Sequence, residues 1–446
     1  MKRGAISLAV AAVALAGCAH YAPAPPHPER FAAALDARRL DEKPAGAVWS
    51  GADLLTAALA RNPQVAEARA KYLTAVAAAR TAKLSPGLTL TLTAEYADER
   101  PHWGGGAAAD IPIDAGARRG TRLTAADLQA LQAWYDYGEA IWTVRTALEK
   151  ARSEMQDAGQ EVSLAAQAEA LRRERLQRLE RRVSAGEDDR VLALAAQTEL
   201  AAAERRLADA NGRRDQALVA LAKALGVGQV GERLDQAPMA DAPALEGLQA
   251  WRQDAALSRS DVLRAIADYD LAENALRLEI AKQYPEVRIG PAYNYDHGVN
   301  KLPFNLSLAL PTYDLNRHAI AQAEAGRAAA GRSLELTQAN ALAAVDAAAA
   351  AVVTAQANLG RVIARELPAA RRTAETTARS LRAGEADRVD DLAARAAELD
   401  AELSLLDAQR SVRTATTDLE DALRRSFDPA ETAVLQAAMT RPGETR

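Results

Sequence analysis

The sequence predicts a mainly α-helical chain that also carries four short, amphipathic β-strands. Three observations support this fold class. About a quarter of the 446 residues are alanine and only 4% are aromatic, one order of elements occurs twice, and each copy contains two segments of alternating polarity. Because aromatic side chains supply the largest burial per residue, a chain so poor in them favours long, closely packed helices over one deep globular core.

The composition argues against several functional classes. The single cysteine, Cys18, excludes an intramolecular disulfide and a cysteine-based zinc site, and the five histidines lack the spacing of metal ligands. The net charge of −5 argues against nucleic acid as the main partner. Because no nucleophile stands in a catalytic context, we expect no enzyme activity, no metal site and no bound cofactor.

The N-terminus has the pattern of a targeting segment. Residues 1–17 are predicted to be a signal peptide, with Lys2 and Arg3 before a short apolar run. The run ends in Leu-Ala-Gly-Cys at 15–18, which resembles the lipobox of bacterial lipoproteins, so Cys18 is the predicted lipidation site. Residues 18–50, rich in proline, are then a lipidated, extended tether. An ordinary signal peptide, or an anchor stub with a chance cysteine, is the alternative.

The rest of the chain contains one motif twice. The segment at 184–191 (SAGEDDRV) matches the segment at 382–389 (RAGEADRV), and the proline at 86 matches the proline at 285. Because the matches keep their order at a nearly constant offset, the sequence predicts a first structural repeat over 51–227 and a second over 251–427. A connector at 228–250 joins the repeats, and 428–446 form a C-terminal tail.

Each repeat is predicted to contain a helix (51–84; 258–283), two strands, a very long helix, a glycine-centred break and a further helix (187–225; 385–426). The long helices, over about 116–184 and 316–382, would each span about 100 Å. Apolar residues at intervals of three and four, such as Leu192, Ala195 and Leu200, predict coiled-coil packing. Pro368 should kink the second long helix. A solvated coiled-coil spacer is the alternative.

Four segments alternate apolar and polar residues with the period of a β-strand, at 88–96, 109–114, 287–296 and 304–310. Such segments are typical of transmembrane barrel strands, and a small soluble sheet is the alternative. After residue 18 the longest apolar run has seven residues, so we expect the chain to enter a membrane only as strands. Because four strands cannot close a barrel, we also expect the chain to oligomerise, each copy supplying a third or a half of the wall.

With these features the chain resembles the TolC-like outer-membrane efflux proteins, in their lipid-anchored branch, over residues 51–427. The resemblance rests on five segments: Asn62-Pro63-Gln64-Val65, Ala309-Leu310-Pro311, Arg317, Ile320-Ala321-Gln322-Ala323-Glu324 and Leu367-Pro368-Ala369-Ala370-Arg371. It implies a homotrimer in which a twelve-stranded barrel in the outer membrane continues into a twelve-helix periplasmic tunnel.

The resemblance also implies a function and partners. The protein would be the passive exit duct of a tripartite efflux system, anchored in outer-membrane lipid. It would join a periplasmic adaptor, also called a membrane fusion protein, and an inner-membrane pump. The alternative is a lipid-anchored periplasmic coiled-coil spacer or adaptor that never enters the membrane.

The glycine-centred breaks are the candidate functional sites. Gly186 and Gly384 are the predicted periplasmic tips, and by the resemblance they contact the adaptor together with Val183 and Leu381, where the family commonly has tyrosine. A plain turn glycine would explain Gly186 and Gly384 equally well.

Three acids beside the second break form a separate hypothesis. Asp387 and Asp391 are one helical turn apart, with Asp390 adjacent on the same side, so in a trimer the three are predicted to form stacked acidic rings at the periplasmic entrance. Such rings favour cations. The alternative is a solvated first helical turn, where the helix dipole favours acids in any case.

Overall fold

In the computed structural model, residues 21–40, 48–98, 100–113, 116–231, 245–310 and 313–441 are described. The predicted signal peptide, the lipidation site Cys18 and most of the predicted connector lie outside these residues.

The described residues form eleven α-helices and five β-strands. In chain order these are α1 (Pro28–Ala37), α2 (Gly51–Arg61), α3 (Pro63–Ala82), β1 (Thr89–Tyr96), β2 (Trp103–Pro112), α4 (Gly116–Ser184), α5 (Arg190–Leu225), α6 (Leu248–Ser258), α7 (Ser260–Ala281), β3 (Glu286–Asp296), β4 (Val299–Lys301), β5 (Phe304–Ala309), α8 (Arg317–Arg361), α9 (Leu367–Ala383), α10 (Arg388–Leu423) and α11 (Pro429–Ala438).

The helices follow the sequence expectation, with two local differences. The helix expected over 51–84 is broken into α2 and α3 at Asn62, because Pro63 disfavours a helical conformation in the residue before it. In the second repeat a π-helical turn, Val362–Glu366, separates α8 from α9 just before Pro368. Proline lacks an N–H and crowds the preceding turn, so a wider turn is accommodated there.

Alanine, rather than leucine, forms the seams between the long helices. In α5 the buried positions recur every seven residues, and the same spacing recurs in α10, which is the periodicity of a left-handed coiled coil. Our predicted α5 seam was right at Ala203 and Ala210, which are buried, and wrong at Leu192 and Ala195, which are exposed. Small seam residues let neighbouring helix axes approach closely. The seams consist of Ala196, Ala203, Ala210 and Ala217 in α5, and Ala394, Ala401, Ala408, Ala415 and Ala422 in α10.

The largest apolar cluster lies midway along α4, where α2, α5 and the C-terminal helix α11 meet. Leu54 and Leu55 of α2 and Leu148 of α4 are fully buried there, and Leu435 of α11 joins them. The segment expected to be only a C-terminal tail therefore contributes a packed helix to this cluster.

Part of the expected tether is also packed rather than extended. The N–H of Gly228 donates to the carbonyl oxygen of Arg38 at 3.2 Å, and Arg38 Nη1 donates to the carbonyl oxygen of Arg61 at 3.3 Å. Leu40 contacts the apolar cluster around α2. Residues 28–40 thus dock α1 beside the end of α5.

The strands form one antiparallel sheet in the order β1-β2-β3-β5, with β4 extending the ladder at the far end of β3. Strand β2 begins at Trp103, six residues before the predicted start. The prediction missed its first half because the run of glycine and alanine there shows no alternation of polarity. Leu302 and Pro303 separate β4 from β5, yet Pro303 still accepts a hydrogen bond from Ala292 N–H at 2.9 Å.

One helical stretch, Arg317–Ala383, contains an 18-residue window with a mean hydropathy of 1.4 and is long and apolar enough to cross a membrane. This differs from our expectation from apolar runs alone. The window is weak support for a transmembrane helix, because a helix packed inside a protein can meet the same criterion.

Candidate functional sites: the two-faced sheet and the paired helix turns

The strand register collects the apolar residues of all strands on one face of the sheet. Leu92 pairs with Ala107, Ala107 pairs with Tyr293, and Ile289 pairs with Leu306. Directly paired residues point to the same face, so the four separate alternations become one surface. Its large members are Leu90, Leu92, Tyr96, Trp103, Ile111, Val287, Ile289, Tyr293, Tyr295, Phe304, Leu306 and Leu308. Leu92 is 73% exposed and Phe304 66%, so the described elements leave this face largely uncovered.

The opposite face is polar. Arg288 and Asp110 form an ion pair across two strands, with Arg288 Nε 3.2 Å from Asp110 Oδ2. The other polar members are Thr89, Thr91, Thr93, Glu95, Asn294, Asn305 and Ser307, placed on this face by the same register. The sheet therefore separates an apolar from a hydrophilic environment.

Both long edges of the sheet are open within the described chain. Strand β1 pairs only with β2, and β5 pairs only with β3. The outer N–H and C=O groups of β1 and β5 are thus available to another chain.

At the other end of the long helices, the two glycine-centred breaks have the same backbone geometry. Gly186 has φ +75° and Gly384 has φ +78°, a left-handed conformation that glycine adopts without strain. Each is followed by a glutamate whose N–H donates back to the preceding helix, Glu187 to Arg182 at 2.9 Å and Glu385 to Ser380 at 2.9 Å. This is the Schellman motif, which satisfies the last carbonyl groups of α4 and α9.

An aspartate caps the helix that follows each break. Asp189 Oδ1 accepts a hydrogen bond from the N–H of Val191 at 3.0 Å. Asp387 Oδ1 accepts from the N–H groups of Val389 and Asp390, at 2.6 and 2.9 Å. Each break is therefore a tight, capped turn between antiparallel helices.

A match to a protein-family model identifies the family of this chain. The model described as "Outer membrane efflux protein" matches residues 54–227 and 251–423, well over half of the chain. The chain belongs to the outer membrane efflux protein family. The family resemblance of the sequence is thereby confirmed.

Solved structures with the same fold are outer-membrane proteins. The Neisseria gonorrhoeae MtrE outer membrane channel, in its open state, has a TM-score of 0.70 at 19% identity, over 84% of this chain and 89% of MtrE. The Campylobacter jejuni CmeC outer membrane channel has a TM-score of 0.69 at 13% identity, over 91% of this chain and 94% of CmeC.

The outer membrane protein VceC from Vibrio cholerae has a TM-score of 0.68 at 19% identity, over 84% of this chain and 96% of VceC. Two of these three structures are outer membrane channels and the third is an outer membrane protein. No curated protein sequence matches the chain significantly.

The residues predicted to contact an adaptor lie at the turns of this efflux-family chain. Gly186 and Gly384 are exposed, and a Cβ on either would meet no atom within 4 Å. Val183 and Leu381, one turn before the glycines, are half-buried. A small apolar cluster of Leu179, Ala196 and Val389 lies just behind and joins α4, α5 and α10.

Two of the three acids predicted to form a ring are engaged in ion pairs within the chain. Asp391 is fully buried, with Oδ2 2.6 Å from Arg388 Nη1 and Oδ1 3.1 Å from Arg395 Nε. A buried carboxylate held by two guanidinium groups does not face a pore in this conformation. Asp391 therefore does not present its charge to solvent in this conformation, and the acidic ring stays a prediction.

Asp387 is also held within the chain, by an ion pair with Arg182 at the end of α4. Burial alone would raise the pKa of Asp387, but hydrogen bonds from Asp390 N–H, Arg182 and Val389 N–H together lower it. Asp390 is exposed and has no ion pair among the described residues. It is the one acid of the three whose charge faces solvent without a cationic partner in the described part of the chain.

Sequence reasoning missed the arginines that bind these acids. Arg182 reaches Asp387 across more than 200 residues of sequence, and Arg388 contacts Glu174 of α4 at 3.4 Å. The available signals were the density of arginine in the last turns of α4 and, for Asp391, the spacing of Arg388 and Arg395 three and four residues away on the same helix. Among the described residues, no group of three or more His, Cys, Asp or Glu side chains could hold a metal ion.

Proposed function

We propose that the protein is the exit duct of a tripartite efflux system, a homotrimer that conducts substrate passively across the outer membrane. The observation that carries the proposal is the sheet with one apolar face, one polar face and two open edges. A small soluble sheet would cover such an apolar face with other elements, and a coiled-coil spacer would not need it.

The open edges argue for assembly through the strands. Backbone groups left unpaired in lipid cost several kcal/mol each, so a four-stranded sheet cannot enter a membrane alone. Pairing β1 of one copy with β5 of the next removes both edges when the ring closes. Two copies would give about eight strands, the smallest known bacterial barrel. The family resemblance favours three copies, and hence a twelve-stranded barrel.

The two faces would meet lipid and water. The apolar face, with Leu90, Leu92 and Leu306, would contact lipid chains, and the polar face, with Thr91, Asn305 and Ser307, would line the lumen. Trp103 and Tyr295 lie near the hairpin ends of the sheet. There they would occupy the membrane interface, where aromatic side chains are enriched.

The helices would form the periplasmic tunnel. Helix α4 has 69 residues and is about 100 Å long, enough to reach far from the sheet. The alanine seams of α5 and α10 let helices pack side by side with little side-chain volume between them. Such a wall needs no bound cofactor to conduct.

The turns at the end of the tunnel would join the periplasmic adaptor, and through it the inner-membrane pump. Gly186 and Gly384, with Val183 and Leu381, form this contact in the proposal. Because Asp387 and Asp391 are engaged by arginines, a ring of acids at the entrance would consist of Asp390 from each copy.

Lipidation of Cys18 would anchor each copy in outer-membrane lipid. The docked segment at 28–40 lies beside the start of α3, whose 20 residues span about 30 Å toward the sheet. The ten residues from Cys18 to Pro28 can extend to about 33 Å. The anchor can therefore reach the membrane level of the sheet while α1 stays docked.

Cross-linking across the predicted subunit boundary tests the proposal. Thr91→Cys in β1 and Ser307→Cys in β5, combined in one chain, should give covalent trimers with a flexible bifunctional thiol reagent. Acylation of Cys18 leaves only the introduced thiols to react. Either substitution alone is the matched control and should give no covalent trimer.

The double variant reconstituted in planar bilayers should also show discrete conductance steps before cross-linking. Products no larger than a monomer would reject the shared barrel. A water-soluble monomer after Cys18→Ser would instead support the lipid-anchored spacer.

A further inference from the structure

Five charged side chains are buried together where the C-terminal helix α11 meets α4 and the end of α10. They are Arg145, Glu149 and Arg152 of α4, Glu420 of α10 and Glu431 of α11, and none is more than 7% exposed. We call them the α11 charge cluster. The proposed duct assigns them no role.

The two arginines are divided among three carboxyl groups. Arg145 Nη2 lies 2.7 Å from Glu420 Oε2 and 2.7 Å from Glu431 Oε2, and Arg145 Nε donates to Glu431 Oε2 at 3.0 Å. Arg152 Nη1 lies 3.1 Å from Glu149 Oε1 and 3.2 Å from Glu149 Oε2. Fully ionised, the cluster would carry one uncompensated negative charge, which is costly to bury.

Glu149 and Glu431 are close enough for each carboxyl group to shift the pKa of the other. An ionised carboxylate only accepts hydrogen bonds, so a hydrogen bond between the two requires a proton on one of them. One proton would supply this hydrogen bond and also balance the charge of the five side chains.

The surroundings assign that proton to Glu149. Burial, followed by the negative charge of Glu431, raises the pKa of Glu149 to about 7, against the opposing effects of Arg152 and Arg145. Burial would also raise the pKa of Glu431, but the charge and hydrogen bonds of Arg145 outweigh burial and lower it.

Among the described residues, the neighbouring elements bring no cation to Glu149 besides Arg152 and Arg145. From α2 it is Gly51 that faces the cluster, and a Cβ there would lie 2.6 Å from both Arg152 Nη1 and Glu431 Oε1. Asp53 of α2 is hydrogen-bonded to Ser50 instead. After α10, Arg424 pairs with Glu139 and Asp421, and Ser426 Oγ donates to Glu431 Oε2 at 3.0 Å.

Glu431 links this chemistry to the docking of α11. It lies in the first turn of α11, one turn before Leu435, which packs in the apolar cluster with Leu54 and Leu55. When both Glu149 and Glu431 are ionised, their hydrogen bond is lost and like charges face each other across the boundary between α4 and α11.

We propose that Glu149 and Glu431 share a single proton, and that its release loosens α11 from α4, so that the C-terminal helix is a pH-sensitive latch. The proposal concerns packing within one chain and does not depend on the proposed duct.

The sign of the pH dependence follows from the two pKa directions. Glu149 has a raised pKa, so its contribution to docking is fully present below about 4.5, falls as the pH rises, and is lost above about 7. Glu431 has a lowered pKa, so its contribution is present above about 4.5 and is lost in stronger acid. One linked proton changes the opening equilibrium of α11 by up to about tenfold per pH unit below about 7.

Hydrogen exchange of the full-length protein, read by mass spectrometry between about pH 5 and about pH 8, tests the latch. After correction for intrinsic exchange, protection of α11 peptides should fall by up to about tenfold per pH unit and level off above about 7. Glu149→Gln should remove this dependence and keep α11 protected, because a glutamine amide donates to Glu431 at every pH. Glu154→Gln, on the same helix and ion-paired with Arg410, is the matched control and should behave as the unmodified chain does.

Protection of α11 that does not change with pH in the unmodified protein would overturn the proposal, as would an unchanged pH dependence in Glu149→Gln. If Glu149→Gln does not fold, Glu431→Gln supplies the permanent donor from the other side and should flatten the profile in the same way. Infrared difference spectra add a direct measurement. In the unmodified protein a protonated-carboxyl band should disappear between about pH 6 and about pH 8. Both glutamine variants should lack this band. Its absence from the unmodified protein would reject the shared proton.

Discussion

The two helix turns of this efflux-family chain share one backbone and present opposite surfaces. Both have a left-handed glycine, a returning hydrogen bond from a glutamate, and an aspartate cap. Yet Val191 in the first turn of α5 is 64% exposed, whereas its repeat equivalent in α10, Val389, is 8% exposed. Leu194 is 51% exposed, and its equivalent Leu392 is fully buried.

The same two apolar residue types thus occupy different environments. The first turn of α10 is packed against α4, and the first turn of α5 presents its valine and leucine outward. The charge differs as well, since Ala193 of α5 corresponds to Asp391 of α10, which two arginines hold in a buried site. Local sequence signals set the turn, and packing sets which side of the next helix is covered.

Leucine truncation gives the largest expected difference between the turns. Leu392→Ala should lower the local opening free energy of the α9–α10 turn by about 3 kcal/mol, because it empties a fully buried site. Leu194→Ala should change the local opening free energy of the α4–α5 turn by less than about 0.5 kcal/mol, because the Leu194 side chain is about half exposed to solvent. Hydrogen exchange of peptides spanning each turn measures both values. An equal loss at the two sites would break the comparison and would show that another chain covers Leu194.

Removing the buried acid should have the next largest effect. Asp391→Ala should destabilise the first turn of α10 by about 2 kcal/mol, since Arg388 and Arg395 lose their hydrogen-bonded carboxylate. The arginines are partly exposed and can turn to water, which limits the loss. The same exchange measurement checks it, with Ala193→Ser in α5 as the control that should leave its turn nearly unchanged. No loss in Asp391→Ala would mean that the ion pairs do not hold the turn.

The turn glycines should respond alike. Gly186→Ala and Gly384→Ala should each cost about 1 kcal/mol of local stability, because alanine resists a positive φ whereas the space around both sites is open. Local exchange at the two turns gives the comparison. Costs that differ by more than about 1 kcal/mol would show that the shared backbone is not the determining feature.

The smallest expected effect on stability is at Asp390. Asp390→Asn removes an exposed charge and should change local stability by less than about 0.5 kcal/mol. If the proposed entrance ring exists, the same substitution lowers the preference for cations in single-channel recordings. Unchanged cation selectivity would reject the proposed ring and would leave the capping of the turn as the role of these acids.

The main elements were predictable where local signals are strong. The helix predicted over 116–184 is found as Gly116–Ser184, because its start and its glycine-terminated end both lie in the sequence. The strand β1 follows its alternation. Strand β2 was only half found, because Gly104 to Ala109 have no large side chains to alternate.

Contacts between distant segments were beyond sequence reasoning. Nothing local to α11 indicates that Glu431 enters a buried cluster with Glu149, since the two lie more than 280 residues apart. The docking of Arg38 beside Gly228 was missed for the same reason, and the proline-rich composition favoured an extended tether.

By itself the sequence determined the doubled order of elements, the turns at Gly186 and Gly384, and the alternation of the strands. These follow from backbone preferences and periodicities that act over a few residues. Only the tertiary structure decided that the alternations share one face, that Leu392 is buried where Leu194 is not, and that Asp387 pairs with Arg182. Burial and charge pairing depend on which distant surfaces meet, and two copies of one motif meet different surfaces.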